Sequence, residues 1–145
     1  MTIIYPETEN HEFTSLLNCK NSIFLAGPCP RINYDEDWRN EALNILRKLK
    51  FDGTVIIPTN KFYKTNDKNF LEKQTKWELE GLYKSSAIVF WIERSEEYPA
   101  FTTNIEFGNW YDKPGVFIGW TDKAIKNEYL EERLKIINKF RYKTL

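Results

Sequence analysis

Four short apolar runs, separated by longer amphipathic segments, constrain the fold of this chain more than any other feature. The runs span residues 22–27, 54–58, 87–92 and 115–119. Apolar runs of this length, without polar alternation, are typical of strands that are buried on both faces of a sheet. Helical spacing follows each run, over residues 35–49, 70–84, 102–111 and 125–141. The predicted order of elements is therefore βαβαβαβα.

That order predicts an α/β fold: a doubly wound parallel sheet with helices on both faces and right-handed crossovers. With the predicted strands in the order 2-1-3-4, the winding reverses between the first and the third, and ligands bind at the carboxyl ends of those two strands. Residues 1–20 are interpreted either as an extra edge strand or as an arm on the surface. The whole chain, residues 1–145, is expected to form one domain.

Composition excludes several classes of protein. Basic and acidic residues balance at 21 each among 145 residues, so no net positive field favours a nucleic acid polymer. The two cysteines, Cys19 and Cys29, and the single His11 lack the number and spacing of a disulfide framework or a zinc site. No segment has the length of a membrane span and the N-terminus is unlike a signal peptide, so a cytoplasmic protein without metal or membrane contact is expected.

The stretch "FTTNIEFGNW" contains the carboxylate of greatest interest, Glu106. Thr103-Asn-Ile-Glu106 fits the Ser/Thr-x-x-Glu pattern that opens helices, in which case the carboxylate is only a cap. The segment also follows the third predicted strand, where the crevice is expected. A catalytic carboxylate at the mouth of a site is the other interpretation.

The first predicted strand leads into "GPCPR", which is not a phosphate cradle because proline lacks the backbone N–H that such cradles use. We interpret Gly27 and Pro28 as a rigid wall that a ligand approaches closely; a loop merely leaving its strand is the alternative. In "QTKWELEGL", Gln74 and Glu78 share a helical stripe with Trp77 beside it. That edge can bind a ligand, unless Trp77 is core and Glu78 a solvated charge.

Two arginines, Arg31 and Arg94, flank the predicted crevice, where their guanidinium groups can pair with a 5′-phosphate. The alternative pairs Arg31 with Asp35 or Asp37 and Arg94 with Glu96 or Glu97. Aromatic residues near strand ends can stack on a base, although core packing is the default for Trp91; they are Trp91, Phe101 and Trp120.

Five segments in the right order resemble the nucleoside 2-deoxyribosyltransferase-like family over roughly residues 22–130. They read "IFLAGPCPR", "DWRNEAL", "QTKWELEGLYKSSAIVFWIER", "FTTNIEFGNW" and "KNEYL". The resemblance implies a flavodoxin-like fold and chemistry at an N-glycosidic bond. It also implies that Glu106 is the nucleophile that attacks C1′ of the sugar and that Glu78 orients the substrate or handles protons.

The chain departs from the family pattern at one position that handles protons on the base. Classical transferases carry an aspartate six residues before the nucleophile, where this chain has Ala100. Glu93 or Glu78 can supply the acid instead. Otherwise hydrogen bonds alone hold the base, from Thr102, Thr103 and Asn104. Tyr34 is within reach as the tyrosine that contacts the nucleophile.

The resulting expectation is transfer or hydrolysis at the N-glycosidic bond of a nucleoside, deoxynucleoside or nucleoside monophosphate, without a cofactor. The helix dipole is expected to keep Glu106 ionised. A hydrolase of another ribosyl compound and a catalytically silent nucleotide-binding or partner-recruiting domain are the alternatives. The partner is a small molecule, and a homo-oligomer is expected.

Overall fold

All four apolar runs form neighbouring strands of one parallel sheet. The computed structural model of the chain describes residues 1–7, 13–16, 19, 21–30, 37–59 and 68–145. The strands are β1 (Thr2–Ile4), β2 (Ser22–Ala26), β3 (Thr54–Ile56), β4 (Ala87–Trp91) and β5 (Val116–Gly119). The helices are α1 (Trp38–Lys48), α2 (Lys68–Lys84), α3 (Phe101–Trp110) and α4 (Glu128–Ile136).

The sheet has the order β1-β3-β2-β4-β5, and every neighbouring pair is parallel. The α/β, doubly wound fold class is therefore confirmed, with the four predicted strands in the predicted order. The N-terminal segment supplies the extra edge strand, since Ile4 pairs with Ile56 of β3. Within the described residues, no helix is both long enough and apolar enough to cross a membrane.

Helices cover both faces of the sheet, as predicted, because alternate residues of the buried strands point to opposite sides. On one face α1 places Ala42 and Leu43 against Leu25 of β2. On the other face α2, α3 and α4 contribute to a larger apolar cluster, whose helical members are Trp77, Leu82, Phe107, Leu130 and Leu134.

Helices α1 and α4 differ most from their predicted bounds, whereas the bounds of α2 and α3 differ by only one or two residues. Helix α1 begins at Trp38, because Asp37 is extended and its side chain caps the helix by accepting from the backbone N–H of Arg39. Helix α4 is shorter than residues 125–141 because the backbone at Lys126 and Asn138 is left-handed, with φ of 58° and 54°. A left-handed residue ends a helix, so α4 occupies only Glu128–Ile136.

Candidate active site

The carboxyl ends of β2 and β4 lie side by side where the winding of the sheet reverses. Ala26 pairs with Phe90 near these ends, with β3 on the far side of β2 and β5 on the far side of β4. In doubly wound sheets, ligands bind in the crevice outside such a reversal. The loop after β2 and the helices after β3 and β4 therefore surround the candidate site.

Gly27 allows the backbones of β2 and β4 to approach each other at this edge. Its φ is +150°, and a Cβ built on it would lie 2.2 Å from the carbonyl oxygen of Trp91. No side chain fits that gap. The sequence interpretation assigned this space to a ligand, whereas the structure fills it with the Trp91 carbonyl group.

A single buried guanidinium holds the Gly27–Pro28 wall in place. Arg39 is only 1% exposed. Its Nε donates to the carbonyl of Leu25 at 2.9 Å, its Nη2 to the carbonyl of Gly27 at 2.9 Å and its Nη1 to the carbonyl of Pro28 at 3.0 Å. Three backbone carbonyls are thus fixed by one rigid, planar donor, which supports the interpretation of this loop as a rigid wall.

Asp37 neutralises Arg39 and connects it to the segment that follows β3. One carboxylate oxygen, Oδ1, accepts from Nη1 of Arg39 at 3.0 Å. The other, Oδ2, accepts from the hydroxyl of Thr59 at 2.9 Å. A buried charge is tolerated when it is paired and its remaining polar atoms are hydrogen-bonded, and this cluster meets both conditions.

Cys29 lies beside the Arg39 cluster and reaches solvent. Its sulfur is 3.7 Å from the carbonyl oxygen of Gly27 and 3.8 Å from Oγ1 of Thr59. Protein atoms displace much of the water around the thiol, and this burial raises its pKa, while the charge of Arg39 opposes the shift. Cys29 is therefore a thiol, not a thiolate, at neutral pH.

Helix α2 presents Glu78 to the site through a hydrogen bond with Gln74. Nε2 of Gln74 donates to Oε1 of Glu78 at 2.6 Å and to the carbonyl of Pro58, after β3, at 2.9 Å. Gln74 is 7% exposed, so it orients Glu78. Trp77 belongs to the core, as the alternative interpretation had it, and its Nε1 donates to the carbonyl of Thr14 at 2.8 Å.

Glu106 lies in the second turn of α3 and does not cap the helix. The N-cap position is Ala100, which is left-handed (φ 56°, ψ 44°) and makes no side-chain cap. Thr103 is therefore inside the helix and 2% exposed. The capping-box interpretation of "TNIE" is wrong, because the N-cap is Ala100 and not Thr103, so the helix begins at Phe101 and already contains the whole pattern.

The carboxyl group of Glu106 is held in its neutral form. Its pKa is raised to about 8, first by burial and then by the negative charge of Glu78, against the opposing charge of Arg39. Burial also raises the pKa of Glu78, although the hydrogen bond from Gln74 and the charge of Arg39 lower it. The expectation that the helix dipole keeps Glu106 ionised is wrong, since that effect fades beyond the first turn.

Arg94, after β4, holds neighbouring segments together. Its Nη2 donates to Oδ1 of Asn104 at 2.6 Å and its Nη1 to the carbonyl of Lys126 at 2.9 Å. The predicted pairing with Glu96 or Glu97 is not observed, and Glu96 pairs with Nζ of Lys126 instead. Arg94 is 8% exposed, so its guanidinium ties α3 to the segment before α4 and is not free for a phosphate.

The remaining predicted contacts divide into exposed and buried side chains. Phe101 is 73% exposed and Thr102 is exposed beside it. Trp91 and Trp120 are core residues, 6% and 2% exposed.

Glu93 accepts from the backbone N–H and the hydroxyl of Thr121. Arg31 and Tyr34 lie outside the described residues, so their predicted roles stay predictions.

Sequence reasoning missed Arg39 and Asp37, although a signal was present. Arg39 occupies the same helical stripe as Ala42, Leu43 and Leu46, all of which face the sheet. An arginine at a position that the helical period assigns to the core indicates a buried guanidinium with specific acceptors.

A cavity of about 390 Å³ lies elsewhere, between β5 and the segment after α4. It contains none of the candidate site residues; its lining is Val116, Phe117, Ile118, Asn138, Lys139, Phe140 and Tyr142. Among the described residues, no group of histidine, cysteine or acidic side chains is arranged to hold a metal ion.

Fold and site together define an α/β protein with two half-buried carboxyl groups, Glu78 and Glu106, at the reversal of a doubly wound sheet. A family model described as nucleoside 2-deoxyribosyltransferase like matches residues 20–124, which include β2 to β5 and both glutamates. The chain belongs to the nucleoside 2-deoxyribosyltransferase-like family. This confirms the resemblance noted in the sequence and supports nucleoside glycosyl transfer in general. No individual curated protein matches the chain.

Proposed function

We propose that this protein transfers or hydrolyses the N-glycosidic bond of a nucleoside, deoxynucleoside or nucleoside monophosphate, with Glu106 as nucleophile. One observation carries the proposal: two half-buried carboxyl groups from consecutive helices lie at the topological switch point, close enough that the charge of Glu78 raises the pKa of Glu106. Paired carboxyl groups of this kind divide the roles of nucleophile and acid at glycosidic bonds.

The reaction has two steps. The carboxylate of Glu106 forms a bond with C1′ of the sugar while the bond from C1′ to the base nitrogen breaks, and Glu78, in its protonated form, gives its proton to the departing base. A second base or a water molecule then attacks C1′, releases Glu106 as a carboxylate and returns a proton to Glu78. Burial and the charge of Glu78 keep a proton on the pair at neutral pH, chiefly on Glu106. The proposed step uses the arrangement in which that shared proton lies on Glu78 and Glu106 is ionised, so no further residue is needed as the acid.

The surrounding residues have roles that follow from their bonding. Gln74 orients Glu78, and the Gly27–Pro28 wall, fixed by Arg39, limits the crevice on the side of β2. Phe101 and Thr102 are exposed at the start of α3 and are proposed to contact the base. A 5′-phosphate contact remains proposed for Arg31 alone, because Arg94 is bonded to Asn104.

Incubation with a panel of substrates tests the proposal. The panel contains deoxynucleosides, ribonucleosides, their monophosphates and a dinucleotide, each with and without an added acceptor base, and free base is measured by chromatography. Glu106→Gln should abolish base release and Glu78→Gln should reduce it strongly. Glu80→Gln, on the exposed side of α2, is the matched control and should keep wild-type activity.

The reaction products distinguish transfer from hydrolysis and identify the class of substrate. A new nucleoside in the presence of acceptor base indicates transfer, and free sugar or sugar phosphate indicates hydrolysis. Release from the dinucleotide alone would assign the protein to another class of ribosyl hydrolase. No base release from any substrate would contradict an enzymatic function.

A catalytically silent nucleotide-binding domain is the second candidate, because a Glu106 that holds its proton at neutral pH is a poor nucleophile. Binding without turnover raises the melting temperature roughly with the logarithm of the ligand concentration, once that concentration exceeds the dissociation constant. For a silent binder, nucleotides should raise the melting temperature of wild type and Glu106→Gln alike, with no free base formed.

A further inference from the structure

Helix α3 carries Glu106 but lacks a side-chain cap at its start. Its N-cap residue, Ala100, is left-handed (φ 56°, ψ 44°) and makes no side-chain hydrogen bond to the helix, and the first turn contains no acidic residue. Left-handed backbone is unfavourable for an L residue with a Cβ. The position of α3 therefore depends on contacts that the rest of the protein supplies.

Arg94 supplies such a contact from the segment after β4. Its Nη2 donates to Oδ1 of Asn104, near the start of α3, at 2.6 Å, and its Nη1 donates to the carbonyl of Lys126 at 2.9 Å. Because the guanidinium is planar and rigid, each bond fixes the direction of the other. Only 8% of Arg94 is exposed, so water competes little for either bond.

The segment that holds Arg94 is itself joined to the sheet. The N–H of Ile125 donates to the carbonyl of Arg94 at 3.1 Å. Asn127, which is 4% exposed, donates through Nδ2 to the carbonyl of Ile92, directly after β4, at 2.9 Å. Asn127 is the N-cap residue of α4, yet its side chain does not cap that helix. Residues 125–127 therefore hold the guanidinium at a fixed place relative to β4.

Asn104 and Glu106 lie on opposite flanks of the buried face of α3. Thr103 and Phe107 form the centre of that face and are 2% and 1% exposed, whereas Asn104 and Glu106 are both half-buried. At 3.6 residues per turn, side chains two positions apart point about 200° apart around a helix. A roll of α3 about its axis that carries Asn104 away from its place therefore also displaces Glu106.

We propose that Arg94 is a positioning residue: by bonding Asn104 it fixes the rotation of α3 and so holds the carboxyl group of Glu106 in place. Glu106 then stays beside Glu78, on which the proposed function depends. The effect on catalysis rests on that function, whereas the effect on the two carboxyl groups does not. Asn104 is assigned to the support of Glu106 and not to the base.

Asn104→Ala tests the proposal because it removes the acceptor and leaves Arg94 in place. Steady-state rates on the substrate that releases base should show kcat at least about tenfold lower and KM changed by less than about twofold, since a misplaced nucleophile slows the reaction more than it weakens binding. The pKa of Glu106 is measured independently of activity, from the carbon-13 shift of its carboxyl group, assigned by its loss in Glu106→Gln. It should fall below the wild-type value of about 8 as the group moves away from Glu78.

Matched variants separate this role from a general effect on the helix. Asn109→Ala makes the same substitution on the exposed side of α3, gains the same helix propensity, and should leave kcat and the titration of Glu106 as in wild type. Asn104→Asp keeps an oxygen acceptor for Arg94 and should return kcat to within about threefold of wild type. Arg94→Lys lacks the planar fork and should reproduce the effect of Asn104→Ala, and the combined variant should add little to either.

The titration of Glu106 decides the outcome even without turnover. An unchanged titration in Asn104→Ala would overturn the proposal. A loss confined to KM would also overturn it and would assign Asn104 to the base contact predicted from the sequence. A lower melting temperature with unchanged kcat and titration would show a merely structural role for the pair, again against the proposal. If wild type releases no base, the proposed function fails, while the titration still shows whether Arg94 positions Glu106.

Discussion

Glu106 keeps a proton at neutral pH because two electrostatic costs add. Burial removes the water that would solvate its carboxylate, and Glu78 places a second negative charge nearby. Arg39 reduces both costs but is already bonded to Asp37 and to three backbone carbonyls. The site is therefore arranged so that ionisation of one glutamate hinders ionisation of the other.

The dependence of activity on pH follows from this arrangement. Because the proposed step needs Glu106 ionised and a proton on Glu78, kcat/KM should fall as the pH rises through about 8, where the pair loses its last proton. Glu78→Gln removes both this acid and the negative charge that raises the pKa of Glu106, so its residual activity should instead rise with pH, with a midpoint below about 8. Initial rates between pH 5 and 9 measure both curves. Superimposable profiles for wild type and Glu78→Gln would contradict the coupling.

The stability of the folded protein depends on the same proton. The pKa of Glu106 is higher in the folded protein, about 8, than its ordinary value of 4.5. Its contribution to stability is therefore fully present below pH 4.5 and is lost as the pH rises through about 8. Between pH 5 and pH 9, wild type should lose on the order of 3 kcal/mol more free energy of unfolding than Glu106→Gln.

Urea unfolding at the two pH values measures this difference. Glu41→Gln, an exposed position on α1, controls for the change in net charge. Equal pH dependence in wild type and Glu106→Gln would show that Glu106 is not buried as the structure describes.

At the scale of the helices, Gly81 of α2 and Gly108 of α3 differ in the space available for a side chain. A Cβ on Gly81 of α2 would lie 2.7 Å from the ring of Phe24 on β2, whereas a Cβ on Gly108 of α3 would meet nothing within 4 Å. Gly81 thus allows α2 to approach the sheet closely, next to the turn that carries Glu78. Gly108 has no such function.

Alanine substitution should separate the two positions. Gly108→Ala should stabilise the protein by about 0.5–1 kcal/mol, because alanine favours the helix. Gly81→Ala should destabilise it by about 1–3 kcal/mol, because the added methyl group displaces Phe24 or the helix. Midpoints of chemical unfolding measure both. A stabilising Gly81→Ala would contradict the close packing of α2 on β2.

The elements differ in how far the sequence predicts them. Strands β2 to β5 were predicted because parallel strands buried on both faces are continuous apolar runs. The ends of α4 were not, because left-handed backbone at Lys126 and Asn138 has no distinctive residue pattern here. In the site, strand order led to position 106, and the helical stripe shared with Gln74, together with the family resemblance, led to position 78. The Arg39 cluster was not predicted, since its acceptors are carbonyl groups that only the folded chain brings together.

At the scale of the whole molecule, the order of elements predicted the sheet because right-handed crossovers allow few arrangements of consecutive βα units. The role of the first residues remained open because β1 has only three residues, Thr2–Ile4, too few for a distinctive pattern. A single domain and a homo-oligomer stay predictions.

The segment after α4 completes the other side of the sheet. The N–H of Tyr142 donates to the carbonyl of Ile118 at 2.9 Å, and the N–H of Trp120 donates to the carbonyl of Tyr142 at 3.0 Å. Arg141 adds a hydrogen bond to the carbonyl of Trp120 at 2.7 Å and lies over its ring. These contacts occupy backbone groups of β5 that would otherwise be unpaired.

Removal of residues 138–145 should therefore expose the edge of β5. We expect a melting temperature lower by roughly 5 to 10 °C and an increase in light scattering on heating, because unpaired edge strands associate with one another. Tyr142→Ser keeps the backbone bonds and is the control. Equal scattering from the truncated and control proteins would contradict a protective role for this segment.

The position of Tyr142 in the chain also has a consequence for synthesis on the ribosome. Tyr142 follows every strand and helix in the sequence, so all five strands emerge before the residue that pairs with the outer side of β5. Until then the nascent sheet presents an open edge. Between the emergence of Gly119 and that of Tyr142, this edge of a newly made chain is therefore open to association with neighbouring chains.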